Sequence, residues 1–91
     1  MHINGDFERI LRVIFEDPPR ESVHWNDVLK LLGECEIDFK EYGDRILIAV
    51  SHRNLPWRCV LHRKYDHPYL TESNIEDVRY SLLKAGIEPG D

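Results

Sequence analysis

From Arg45 to Lys64 two apolar runs, RILIAVS and WRCVLHRK, flank the polar pentapeptide HRNLP. That pattern predicts a β-hairpin with a five-residue loop. Ile46 to Val50 is apolar without a break, as expected of a central strand whose second face is partly covered. Just before it, Cys35, Ile37 and Phe39 alternate with Glu36, Asp38 and Lys40, so a strand with one dry and one wet face precedes the hairpin. Tyr42-Gly43-Asp44 turns the chain between the two. In the last strand Trp57, Cys59 and Leu61 point one way, and Arg58, Val60, His62 and Lys64 point the other.

Elsewhere the apolar period is helical. Phe7, Ile10, Leu11, Ile14 and Phe15 line one face of a helix that Asp6 can cap and that Asp17-Pro18-Pro19 must end, because proline lacks an amide hydrogen and constrains the residue before it. A second helix runs from about Ser22–His24 to Leu32 with Trp25, Val28, Leu29 and Leu32 on its stripe, and Gly33 as its left-handed terminator. A third opens with Ser73 and Glu76 as a capping box, buries Ile75, Val78, Leu82 and Ala85, and stops at Gly86-Ile87 ahead of Pro89.

The predicted order is helix, helix, three antiparallel strands, helix. It is an α+β two-layer sandwich with the helices on one face of the sheet and the other face open. Residues 1–21 read as an amino-terminal helical arm on a unit spanning residues 22–89; the arm is placed to cover the open face or to mediate dimerisation.

At 91 residues the chain has room for one modest core, burying roughly 60–65% of the unfolded surface. It has no apolar run of membrane-spanning length and no leader-like start, so a cytoplasmic protein without a membrane segment is expected. Two distant cysteines, Cys35 and Cys59, both on predicted strands, fit buried thiols better than a disulfide. The net charge of −5 runs against a general nucleic-acid binder. The charge is unevenly spread, however: Arg45, Arg53, Arg58, Arg63 and Lys64 occur with no acid among them, after a stretch crowded with Glu34, Glu36, Asp38, Glu41 and Asp44. Such a strip either binds phosphate or pairs charge across a solvated sheet face.

Candidate chemistry is sparse. The histidines and cysteines lack metal-ligand spacing, and no glycine-rich phosphate loop or nucleophile triad is present, so neither a metal nor a small-molecule cofactor is expected. One cluster remains: Arg58, His62 and Lys64 on the last strand with Arg45 beside them, which is either a site or the charge that defends an exposed edge strand against aggregation. An imidazole among cations can move a 2′-hydroxyl proton while the cations hold the phosphate, which makes His62 the candidate catalytic residue and Arg45, Arg58 and Lys64 the candidate RNA-binding residues.

VHWNDVLKLLG at residues 23–33, the turn at Gly43, the strand ending VLHR and the closing VRYSLLKAGI together resemble the HicA family of small toxins. The likeness covers about residues 23–89. It implies a double-stranded-RNA-binding-domain-like fold, mRNA interferase activity and control by a HicB-type antitoxin. The family's catalytic histidine lies in a Gly-Ser/Thr-His motif, where this chain has Gly43-Asp44-Arg45. A guanidinium stays protonated at neutral pH and cannot act as the base, which leaves His62 as the substitute. The resemblance therefore implies an RNA-associated domain that binds more readily than it cleaves. The alternative is a protein-interaction or homodimerisation module that uses the open sheet face.

Overall fold

A computed structural model describes residues 5–18 and 22–90. Six elements follow one another: α1 (Gly5–Phe15), α2 (Trp25–Glu34), β1 (Asp38–Tyr42), β2 (Arg45–His52), β3 (Leu55–His62) and α3 (Glu72–Lys84). The strands form one antiparallel sheet in the order β1-β2-β3, so the uninterrupted apolar run is the central strand and the fold is α+β, as the pattern predicts.

Both hairpins are tighter than expected. Pairing in β2–β3 continues to His52 and Leu55, leaving only Arg53 and Asn54 in the turn, at φ 54° and 63°. Two successive left-handed residues make a type I′ turn, whose twist matches that of the flanking strands, and this takes the place of the predicted five-residue loop. Between β1 and β2, Gly43 at φ 58° takes the first central position, as a type II′ turn requires.

Strand alternation sends Ile46, Ile48, Val50 and Leu61 into the core against Val28, Leu31 and Leu32 of α2 and Ile75, Val78 and Leu82 of α3. Leu31 is buried where the stripe predicted Leu29, which is only half-buried. Gly33 lies inside α2. The left-handed terminator is Glu36, at φ 58°, and the N–H groups of Glu36 and Ile37 close on the carbonyls of Gly33 and Leu32 at 3.1 and 2.9 Å. This later stop sets apolar Ile37 against Leu32, where a stop at Gly33 would have set charged Glu34 against Leu29 in the contact that accompanies a Schellman ending. Cys35 is consequently a helix cap and not a strand residue, and β1 begins at Asp38.

α3 also starts earlier than predicted. Thr71 is its cap, with the reciprocal bond coming from Asn74 in place of a Ser73–Glu76 box. At its other end Gly86 takes φ 77°, and Ile87 N–H reaches Leu82 O at 2.9 Å, as the Gly-Ile signal predicts.

α1 starts at Gly5; the Asp6 side chain, anticipated as its cap, and Pro19 lie outside the described residues. Its Ile10, Leu11, Val13 and Ile14 join the common core, and it packs against α2 and α3. Val13 is buried in addition to the predicted stripe because α1 is covered from two sides. Arg79 of α3 donates from Nε and Nη2 to the carbonyls of Ile14 and Glu16, both at 2.9 Å, satisfying the end of α1 with a cation where the helix dipole is negative. Among the described residues α1 meets no strand, so it does not cover the open sheet face.

Candidate nucleic-acid interface

The face of the sheet away from the helices carries three rows that cross all three strands, and a fourth, Ser51 with Pro56, on β2 and β3 alone. Register puts Tyr42, Arg45 and His62 in the first, Lys40, Leu47 and Val60 in the second, and Asp38, Ala49 and Arg58 in the third. All nine are exposed.

Arg45 and His62, both singled out by the sequence, are direct partners across β2 and β3. Arg63 N–H donates to Asp44 O at 2.7 Å, which makes residues 44 and 63 the hydrogen-bonded pair and Arg45–His62 the close, non-hydrogen-bonded kind. Their Cβ atoms therefore stand about 4.5–5.5 Å apart. Asn74 holds the end of β3: its Oδ1 accepts from Thr71 N at 3.1 Å and its Nδ2 donates to His62 O at 3.3 Å. The imidazole itself is engaged by no hydrogen bond or ion pair among the described residues. Arg58 shares the face but lies two rows away, about 13 Å along the strand.

Lys64 does not join them. β3 ends at His62, and Lys64 lies in the following loop, lining a separate hollow of about 610 Å³ with Asp44, Asp66 and His67. Arg63 also faces that hollow, but it is occupied structurally. It pairs with Glu41 at 3.2 Å, donates to Gly43 O at 3.1 Å and lies 5.9 Å above the ring of buried Trp25. In their place β1 supplies Lys40 and Tyr42, which the sequence reading passed over. The signal was available: once the chain turns at Gly43-Asp44, pairing parity puts both on the face of Arg45.

Residues 38–64 hold six Lys or Arg and three Asp or Glu, while the rest of the chain holds six and fourteen. The net acidity thus belongs to the rest of the chain; within the strands themselves Lys40, Arg45 and Arg58 stand against Asp38 and Glu41, and the turn and following loop supply the remaining basic excess. A shallow groove of about 690 Å³ runs over the open face, bordered by Lys40, Tyr42 and Arg58 and floored in part by Leu47, Ala49 and Val60.

Cys59, on β3, has its thiol pushed above its ordinary value by burial first and the Asp77 carboxylate second, with a Ser81 hydrogen bond acting the other way. It stays protonated near neutrality and is a poor nucleophile. The Cys35 thiol is raised likewise, by burial and then by Glu34. Both cysteines are unbridged.

Among the described residues no three His, Cys, Asp or Glu side chains converge as metal ligands, and no helix is long and apolar enough to cross a membrane. No family model matches the chain, and no curated protein or solved structure does.

Proposed function

We propose that this chain is a HicA-like RNA-associated domain of the cytoplasm that binds RNA on its open sheet face and has lost, or nearly lost, mRNA interferase activity. The observation that carries this reading is the set of three cations, Lys40, Arg45 and Arg58, spread over all three strands of a face that no helix covers among the described residues, on a chain whose acids lie mainly elsewhere. Phosphates attract such a patch whatever the net charge, because at physiological salt a charge is felt only over about 8 Å.

Cleavage needs a base and an acid around the 2′-hydroxyl and the leaving oxygen. Here a permanently charged guanidinium faces the one imidazole of the row, and the third member is the phenol of Tyr42. That row suits holding RNA better than cutting it. Purified protein and its His62→Ala variant, incubated with RNA and resolved on a denaturing gel, should leave the RNA intact while binding it. Replacing Arg45 and Arg58 together with alanine should weaken binding and reduce its salt slope by about 1.4–1.8, the release of counterions from two phosphates. Cleavage abolished by His62→Ala would identify an active relative with a relocated histidine. Absence of RNA binding at low salt would end the RNA reading.

A second reading has its own observation. Leu47 and Val60, 38% and 46% exposed, sit side by side at the centre of the same face, as a partner-covered surface would have them. In that case the face docks a HicB-like antitoxin or a second copy of the chain. A salt-insensitive dimer by size-exclusion chromatography with light scattering would favour the homodimer.

A further inference from the structure

Resting on the RNA reading above, we infer that the open face is a stacking platform for unpaired nucleotides, selective for single-stranded over double-stranded RNA. The first row is built from three flat groups, the Tyr42 phenol, the Arg45 guanidinium and the His62 imidazole, one on each strand. All three kinds stack on nucleobases, and neighbouring strands place them about 5 Å apart. The next row is Lys40, Leu47 and Val60. Its aliphatic pair lies beside the flat row, and the small Ala49 beyond it leaves the depression that becomes the groove.

A duplex can offer this surface its backbone but no free base faces. Its bases are stacked on one another, and it presents phosphates and 2′-hydroxyls over a footprint of about 16 base pairs. Where all three strands take part, the exposed face measures about 10 Å across the strands and about 13 Å along them, the scale on which sheet-based RNA modules stack two or three bases. A splayed single strand can lay bases on the flat row and the aliphatic floor while its phosphates reach Lys40 on one margin and Arg58 on the other. Tyr42 is 56% exposed, so its ring is open to such contact without rearrangement of the core. Asp38, opposite Arg58 in the third row across Ala49, sets the polarity of that end by repelling phosphate towards the flat row.

The test compares three fluorescein-labelled ligands at low salt by anisotropy: a 12-nucleotide single-stranded RNA, a blunt RNA duplex of the same length and a 12-unit abasic ribose-phosphate strand. The single strand should bind at least tenfold more tightly than either of the others. Tyr42→Ala should lose about tenfold for the single strand, the lower part of the range for a base–aromatic stack, and leave the duplex unchanged, whereas Tyr42→Phe should retain affinity. Equal affinity for single strand and duplex, or for abasic and base-bearing strands, would overturn the stacking platform while leaving RNA binding intact. No binding to any of the three would overturn the proposed function itself. The ligand comparison uses the unaltered protein, so it does not depend on any variant folding.

Discussion

The side-chain amide of Asn74 donates to the backbone carbonyl of His62 at 3.3 Å while its oxygen accepts the Thr71 N–H at 3.1 Å. One buried residue thereby starts α3 and fixes the end of β3 that bears the candidate histidine. Removing the amide leaves a carbonyl and a helix N–H without partners, each loss being worth about 1 kcal/mol or more. Asn74→Ala should therefore cost about 2–3 kcal/mol, read as a fall in Tm of roughly 8–20 °C for a domain of this size. Asn74→Asp, which keeps the acceptor but sets a carboxylate against the His62 carbonyl, should cost at least as much as Asn74→Ala.

The capping residues show where pattern and packing part. Ser73 followed by Glu76 is the stronger box by residue type, yet Thr71 and Asn74 make it, because an amide can be buried against the His62 carbonyl and a carboxylate cannot. Likewise Gly33 is the natural terminator by propensity, and Glu36 is used because the burial of Ile37 outweighs the strain. The strands were legible because alternation is a direct consequence of the pleat, and with it the pairing of Arg45 and His62 on one face. Which β1 residues join them depends on the turn register. The fate of Lys64 depends on where β3 stops, which is decided by long-range bonds that no local window contains.

The β2–β3 turn stores strain. Arg53 and Asn54 both take the left-handed conformation, and for an arginine this costs about 1–2 kcal/mol relative to glycine. Moving the turn to the preferred type I′ pair, with Arg53→Asn and Asn54→Gly, should raise stability by about 1 kcal/mol in urea melts with an unchanged m-value. Loss of stability would mean that the Arg53 side chain contributes more than its backbone costs.

Arg63 and Arg58 look equivalent in the sequence and should behave differently. Arg63 bridges Glu41, the Gly43 carbonyl and the Trp25 ring, contacts that need a planar fork. Arg63→Lys should destabilise by about 1 kcal/mol, a figure kept low because its ion-pair partner is exposed. Arg58→Lys, on the open face, should change stability by less than about 0.5 kcal/mol. Thermal melts of the two variants side by side make the comparison, and equal shifts would contradict the structural assignment of Arg63.

Gly86 is constrained twice. Its φ of 77° disfavours any side chain, and a Cβ built there would stand 2.8 Å from Nε2 and 3.1 Å from Cε1 of His52, at the far end of β2. The backbone contribution alone should make Gly86→Ala cost about 1–2 kcal/mol. The contact adds to this only as far as the half-buried His52 ring resists being displaced. Combining Gly86→Ala with His52→Ala separates the two contributions, because the ring is then gone and the backbone strain remains. We expect the double variant to be more stable than the sum of the single losses by about 0.5–1 kcal/mol, the coupling typical of residues in direct contact. Strict additivity in the cycle would mean that the imidazole swings clear at no cost and that the left-handed backbone alone demands glycine.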